Sequence, residues 1–455
     1  MKSYVNALRG NGLFARAMRS SVWVAFGYAA SQVLRLGSNL ILTRLLFPEA
    51  FGLTALVSVF LVGLTMFSDV GISPAISQNR RGDDPDFLDT AWTIQVIRGV
   101  GLWLATCVIA LPVAWFYDEP MLAQLLPVGG IMLLIAGFNP TRIETANRHL
   151  LLGMVTWLDL LSQIVGLVAM VILAALMHSV WALVIGWMFG AGAKLALMQV
   201  YLPGATNRFR WEPAAAHELI HFGKWIFFST TCGFLLLQGD KAILGKYLSL
   251  EQLGIYNIGY FLASFPIYLG SAVIGRILIP LYRNESRAVT PETLVKIRKM
   301  RFGLTATLMA MLLVMAVLGT DLIQVLYDPR YLSAGAIVVV IACIQLPHVI
   351  GLTYDYAALA AGDSRNFFFL TAARAVLQTS LFIAGAEFGG LFGALIGQFV
   401  AFLAVHPMIV GLARRHRAWD PLHDAGFAAA GLLLGGLVLW IRSDELAALI
   451  GFGAG

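Results

Sequence analysis

Residues 23–52 read WVAFGYAASQVLRLGSNLILTRLLFPEAFG, a long apolar segment with Arg35 in its middle and a Pro-Glu turn at its end. The same segment recurs. Displaced by 202 positions, it lies on residues 225–254, WIFFSTTCGFLLLQGDKAILGKYLSLEQLG. Identical residues then meet at Trp23/Trp225, Phe26/Phe228, Gly37/Gly239, Ile41/Ile243, Leu42/Leu244, Leu46/Leu248, Glu49/Glu251 and Gly52/Gly254, and Arg44 meets Lys246. A match of this kind reads as a duplication whose second half begins near residue 218. Internal repeats on this scale are how many membrane transporters are built.

Composition leaves little room for a soluble enzyme. Of 455 residues, 59% are hydrophobic and 12% charged, whereas a soluble domain carries roughly 45–50% apolar and about 25% charged residues. Mean hydropathy is +0.79. The apolar runs are about 20 residues long, the length of helix that crosses a hydrocarbon core about 30 Å thick. They do not alternate with polar residues as barrel strands do. Helices are therefore expected, because backbone groups in lipid must be satisfied within the segment. The cysteines Cys107, Cys232 and Cys343 fall in separate apolar runs with no metal or redox spacing.

Outward from the repeat, the chain divides into a basic amphipathic lead-in (1–19), a first set of six spans (20–202), a linker (203–217) and a second set of six (218–411). A thirteenth span and a short apolar tail follow (412–455). Loops on one side hold twenty Lys and Arg residues, including Arg80, Arg81, Arg208, Arg210, Arg365, Arg414, Arg415 and Arg417; the other side holds Arg44, Lys246, Arg330 and Arg442. By the positive-inside rule the basic side, with the N-terminus and the linker, is cytoplasmic. Six spans per half give both repeats the same orientation, the parallel-repeat arrangement. No loop exceeds roughly twenty residues, too few for an extramembrane catalytic domain.

Charges inside the spans are the candidate chemistry. A cation at a helix centre costs about 2.5–3.5 kcal/mol on insertion scales, so it normally faces a protein interior or a wet cavity. Arg35, Arg98, Arg276 and Arg374 are such cations, and Lys241 lies near the outer end of the seventh span. Several arginines around one cavity suit an anion, and the forked guanidinium suits phosphate in particular. The alternative is that each pairs with a buried carboxylate and locks helices together; Asp69, Asp159 and Asp355 are the available partners, or sites of ion coupling. Asp69, just before Gly71, also reads as a helix-breaking turn residue. Lys194 and Lys224 are near enough to span ends to snorkel. Tyr247, Tyr256, Tyr260 and Tyr268 read mostly as interfacial anchors. Pro48, Glu49 and Gly52, with Arg44 before them, form the turn motif of the repeat. No phosphate loop, nucleotide fingerprint, metal cluster or catalytic triad is present in the sequence, so no cofactor is expected.

LTRLLFPEAFGLTAL, FSDVGISPAISQ, TRIETANRHLL, RILIPLYRNESR and AALAAGDSRN occur in this order. Together they resemble the oligosaccharide flippases of bacterial polysaccharide export, in the superfamily that also holds multidrug and toxin extrusion antiporters and lipid II flippases. The resemblance implies an all-α integral membrane fold, two six-helix lobes around a central cavity with one or two C-terminal helices, working by alternating access. It implies an undecaprenyl-pyrophosphate-linked oligosaccharide as substrate, carried from the cytoplasmic to the periplasmic leaflet of the bacterial inner membrane. Cavity cations would hold the pyrophosphate. Proton or sodium coupling, or the membrane potential, would supply the energy. Membrane lipids, a polysaccharide polymerase and export machinery are the implied partners; nucleic acid is not. The alternatives are a cation-coupled drug antiporter of the same fold and a polytopic enzyme or scaffold of polysaccharide synthesis.

Overall fold

The computed structural model describes residues 13–69, 71–285 and 291–452. Its first helices are α1 (Leu13–Leu45), α2 (Pro48–Phe67), α3 (Ile72–Gln78), α4 (Pro85–Phe116), α5 (Leu122–Gly137), α6 (Arg142–Arg148), α7 (Leu152–Met177) and α8 (Trp181–Tyr201). There follow α9 (Pro213–Tyr247), α10 (Leu250–Glu285), α11 (Pro291–Leu326), α12 (Ala334–Ile344), α13 (Leu346–Leu352), α14 (Asp355–Ala360), α15 (Ser364–Arg415), α16 (Pro421–Ile441) and α17 (Ser443–Gly451). Among the described residues there is no strand. Seven helical segments among them are long and apolar enough to cross a bilayer, or nine if each bent pair counts as one span. The protein is a multi-pass, all-helical membrane protein.

Local sequence sets the helix ends. Pro48 opens α2, with Glu49 in its first turn where the helix dipole favours an acid. Asp84 and Asp420 each precede a proline and cap the next helix, accepting backbone N–H bonds from Asp86 and from Leu422 and His423 respectively. The expected linker ends early: Pro213 starts α9, so residues 213–217 are helical, with Ala215, Ala216 and Leu219 buried against Phe87 and Ile76.

α15 is 52 residues long. Straight, it would run about 78 Å, far beyond a bilayer core. It is broken at Gly389 and Gly390, and Gly390 takes φ 55°, ψ −139°, a conformation open only to glycine. The two arms fold back on each other so closely that a side chain on Gly385 or Gly393 would strike the opposite backbone. One continuous helix in name is two of the expected spans in shape.

The chain clusters into two compact units, Met1–Leu46 with Leu56–Thr231, and Phe47–Ala55 with Cys232–Gly455. In the first, α1 lies on α7, where Trp23 and Trp157 rings are 6.0 Å apart. α4 pairs with α5, and α7 with α8, as helical hairpins. In the second, α12 and α13 meet at a 44° bend beside α11, around a core including Leu308, Leu312, Leu346 and Val349. α16 is fastened to this unit at both ends. Arg442 reaches Asp321 at 2.9 Å and Glu445 at 3.4 Å. At the opposite end, Asp424 accepts from Tyr354 (2.7 Å) and Trp419 (2.9 Å) and lies 3.2 Å from the His406 ring.

The repeat motif has a spatial counterpart inside the second unit. A side-chain carbon on Gly52 would run into the Leu250 carbonyl, and one on Gly254 into the Pro48 carbonyl. Gly52 and Gly254 are 202 positions apart, and so are Pro48 and Leu250. The contact is therefore symmetric under the sequence offset, with glycine in both places because backbone meets backbone there.

Candidate anion-binding cavity in the first unit

Arg98 lies half-buried on α4. Its Nε donates to Ser68 Oγ at 2.9 Å and a terminal N–H donates to the Thr65 carbonyl at 2.8 Å. Both acceptors are neutral, and among the described residues no carboxylate forms an ion pair with it. A guanidinium has five N–H donors; these two bonds fix the plane of the side chain and leave donors for a ligand.

The space in front of Arg98 is a cavity of about 220 Å³ lined in part by Thr65, Gln95, Asn139, Glu144 and Lys194. Lys194, on α8, holds Asp159 of α7 at 2.7 Å. The two helices approach closely where Gly166 faces Gly190. Sequence reasoning assigns Lys194 to snorkelling; the structure instead puts it in the same cavity as Arg98. A signal was there. Asp159 and Lys194 stand 19 and 16 residues from His178, at the turn between the two helices, so an antiparallel hairpin brings them level.

The acids around the cavity are already engaged. Glu144 Oε2 accepts from Ser73 and Asn147. Asp69 Oδ1 accepts the Gly71 amide at 2.8 Å, with Gly71 at φ 64°, the turn-forming alternative for that residue; it remains near enough to act on Arg98 electrostatically. Asn139 Oδ1 is buried and has no hydrogen-bond partner among the described residues, so it is an acceptor for a donor from a ligand or water.

The cavity floor is braced by the linker. Asn207 accepts from the Thr141 amide at 3.0 Å and donates to Thr141 Oγ1 at 2.7 Å. Beyond it, Arg81 clamps Asp84 at 2.6 Å and Glu212 at 2.7 Å. Bonding to the Arg81 guanidinium holds both carboxyls below their ordinary range.

The other candidate residues are placed differently. Arg35 and Arg44 are exposed on α1 of the first unit. Arg374 makes a two-pronged ion pair with Asp355, at 2.8 and 2.9 Å, both side chains largely buried. That is the helix-locking alternative for both residues. The Lys241 ammonium lies 5.7 Å from the centre of the Tyr260 ring. Its neighbour Asp240 accepts from Tyr256 at 2.8 Å. Tyr256 is fully buried, so it is not the interfacial anchor expected from the sequence. The side chain of Arg276 is outside the described residues.

Solved structures share this fold. Compared with solved structures, the chain is similar to the lipid II flippase MurJ in an inward closed conformation, with TM-score 0.69 and 12% identity over 95% of this chain and 96% of that one. It is also similar to an inward-facing multidrug resistance MATE family transporter, with TM-score 0.58 and 14% identity over 84% of this chain and 96% of that one. Residues 41–336 match the family model described as polysaccharide biosynthesis protein, and the chain belongs to that family. Among its relatives are the teichuronic acid biosynthesis protein TuaB of Bacillus subtilis (strain 168), 21% identical over 75% of this chain and 70% of that protein. Another is the succinoglycan biosynthesis transport protein ExoT of Rhizobium meliloti (strain 1021), 22% identical over 78% of this chain and 72% of that protein.

Proposed function

We propose that this protein is a flippase. It carries undecaprenyl-pyrophosphate-linked oligosaccharide repeat units from the cytoplasmic to the periplasmic leaflet by alternating access, for export of exopolysaccharide, O-antigen or capsule. The supporting observation is Arg98: an intramembrane guanidinium that is oriented by two neutral acceptors, faces a cavity and forms no ion pair among the described residues. In this reading Arg98 and Lys194 hold a phosphoryl oxygen of the headgroup, and Asn139 takes a sugar hydroxyl. At about 220 Å³ the cavity is smaller than the roughly 300–1,000 Å³ of a site that engulfs a drug-sized ligand. It takes one part of the substrate and leaves the rest outside. Arg35, exposed on α1 of the same unit, is a second cation for the headgroup. Outward movement of an anion across a membrane with a negative interior is favoured by about 2.3 kcal/mol per charge per 100 mV, so the potential itself can drive transport. Residues 20–202 and 218–411 are the two repeats, with the linker and N-terminus at the cytoplasmic face.

The test is transbilayer movement of a fluorescent polyprenyl-pyrophosphate oligosaccharide in proteoliposomes. It is read by a membrane-impermeant quencher under an imposed potential. Protein-dependent movement that quickens when the donor side is made negative supports the flippase. Failure with several sugar headgroups, together with proton-linked efflux of an organic cation, would move the assignment to a drug antiporter of the same fold.

A further inference from the structure

Four arginines of the second unit crowd one end of the α15 hairpin, and among the described residues no carboxylate pairs with them. Arg365 is in the first turn of α15, and Arg414, Arg415 and Arg417 lie at and just beyond its last turn. The fold-back of α15 brings these ends together, and the His416 ring is 2.9 Å from Asp363. All four arginines are exposed. Among the described residues none of them forms an ion pair. The acids nearby are spent: Asp363 on Asn366 and His416, Asp420 on Arg298, and Asp424 on Tyr354 and Trp419.

Helix electrostatics explain only part of this. Arg414 and Arg415 stand at a helix C-terminus, where cations are favoured. Arg365 stands at a helix N-terminus, where a cation is opposed, and no acid occupies that first turn. Arg417 takes φ 52°, a left-handed position that glycine or asparagine fills more easily. Two of the four lie over aromatic rings, Arg414 at 3.8 Å from the Trp419 ring centre and Arg365 at 5.9 Å from that of Phe369. Beside them Phe369 is 55% and Leu422 67% exposed. Stacked arginines next to exposed apolar side chains at the end of a membrane span match the boundary between headgroups and acyl chains.

We infer that this rim of the second unit, Arg365, Arg414, Arg415 and Arg417, is a binding surface for anionic phospholipid headgroups, distinct from the cavity around Arg98. The guanidinium groups take the lipid phosphates, and Phe369 and Leu422 enter the apolar edge. Retained lipid holds both ends of the α15 hairpin at one membrane depth.

The test uses the full-length protein in a neutral detergent, with palmitoyl-oleoyl phosphatidylglycerol or phosphatidylcholine added and bound lipids counted by native mass spectrometry. Wild type is expected to retain phosphatidylglycerol in preference. R365Q/R414Q/R415Q/R417Q is expected to lose that preference by about five-fold per charge removed, with an unchanged melting temperature in lipid-free detergent. The corresponding four-lysine variant should keep it, because the surface is read by charge. Should the four-glutamine variant fail to fold, R365Q alone, which relieves an unfavourable helix terminus, is expected to fold and lose about five-fold. Retention of phosphatidylglycerol by a folded glutamine variant at the wild-type level would overturn the assignment. So would loss of preference in a folded lysine variant. A glutamine variant that keeps its lipid but fails to support polymer export in cells would also overturn it, and would give the rim to an acidic protein partner.

Discussion

Arg98 and Arg374 look alike in the sequence: each interrupts an apolar helix, and each has an intramembrane aspartate within reach of the fold. In space they are opposites. Arg374 is held against Asp355 by two charge-assisted bonds, and both side chains are largely buried. Arg98 donates to a hydroxyl and a carbonyl, is half-buried, and faces a cavity. Asp69 acts on it electrostatically but spends its Oδ1 on the Gly71 amide. The lesson is that an intramembrane charge declares its role through its acceptors. A carboxylate answering it in kind makes a lock. Neutral acceptors that only orient it leave its charge for something else.

The contrast can be broken most forcefully at the lock. Asp355→Asn leaves Arg374 buried and unanswered, and is expected to cost about 3–5 kcal/mol of stability. The thermal melt in detergent should show it, and the double change D355N/R374Q should recover most of the loss, since neutral partners remove the unpaired charge. A single variant that melts like wild type would mean that the pair is not a lock. Arg98→Gln should behave in the other way. It removes charge-assisted bonds to a phosphoryl group worth about 1.5–3 kcal/mol, so flipping should fall about ten- to hundred-fold while the melt hardly moves.

Lys194 and Asp159 sit between these extremes, with side chains 37% and 42% exposed. Solvent screens such a pair, so Asp159→Asn should cost no more than about 1 kcal/mol. It should change the flipping rate by a few-fold, because Lys194 is repositioned rather than lost. The smallest effect belongs to the partly exposed Arg81 clamp. Asp84 and Glu212 have carboxyl pKa values depressed by bonding to Arg81. The unfolded chain therefore binds protons more readily there. The stabilisation is fully present above the unfolded carboxylate pKa of about 4 and is lost as pH falls through the folded values. A melting series from neutral to acidic pH should show a slight decline that is shallower in Arg81→Gln.

Much of the architecture was legible in the residues because hydrophobic length and loop charge act locally. The apolar runs mark membrane helices and the Pro48-Glu49 turn marks the end of the first, whereas the break at Gly389 and Gly390 within one bent helix is visible only in the backbone. The site was legible only in kind. Arg98 and Arg374 have the same sequence signature, and their difference depends on whether Asp69 or Asp355 points across to a neighbouring helix, which no spacing encodes. For Lys194, distance from a span end suggests snorkelling; the informative distance is from the turn at His178, which aligns it with Asp159. Tyr256 reads as an interfacial anchor because tyrosines favour span ends, but it is buried and bonded to the Asp240 carboxylate. The pairing of Gly52 with Gly254 was visible as identity, but its reason, backbone against backbone, was not.

The most direct measurement sets two variants side by side in the same proteoliposomes: Arg98→Gln, and D355N/R374Q. Each is followed for flipping of the polyprenyl-pyrophosphate oligosaccharide and for melting temperature. Arg98→Gln is expected to melt as wild type and flip poorly, while the double variant flips close to wild type once folded. Normal flipping by Arg98→Gln, with flipping abolished in a folded double variant, would place the substrate's charge at Arg374 and contradict the assignment of the cavity in the first unit.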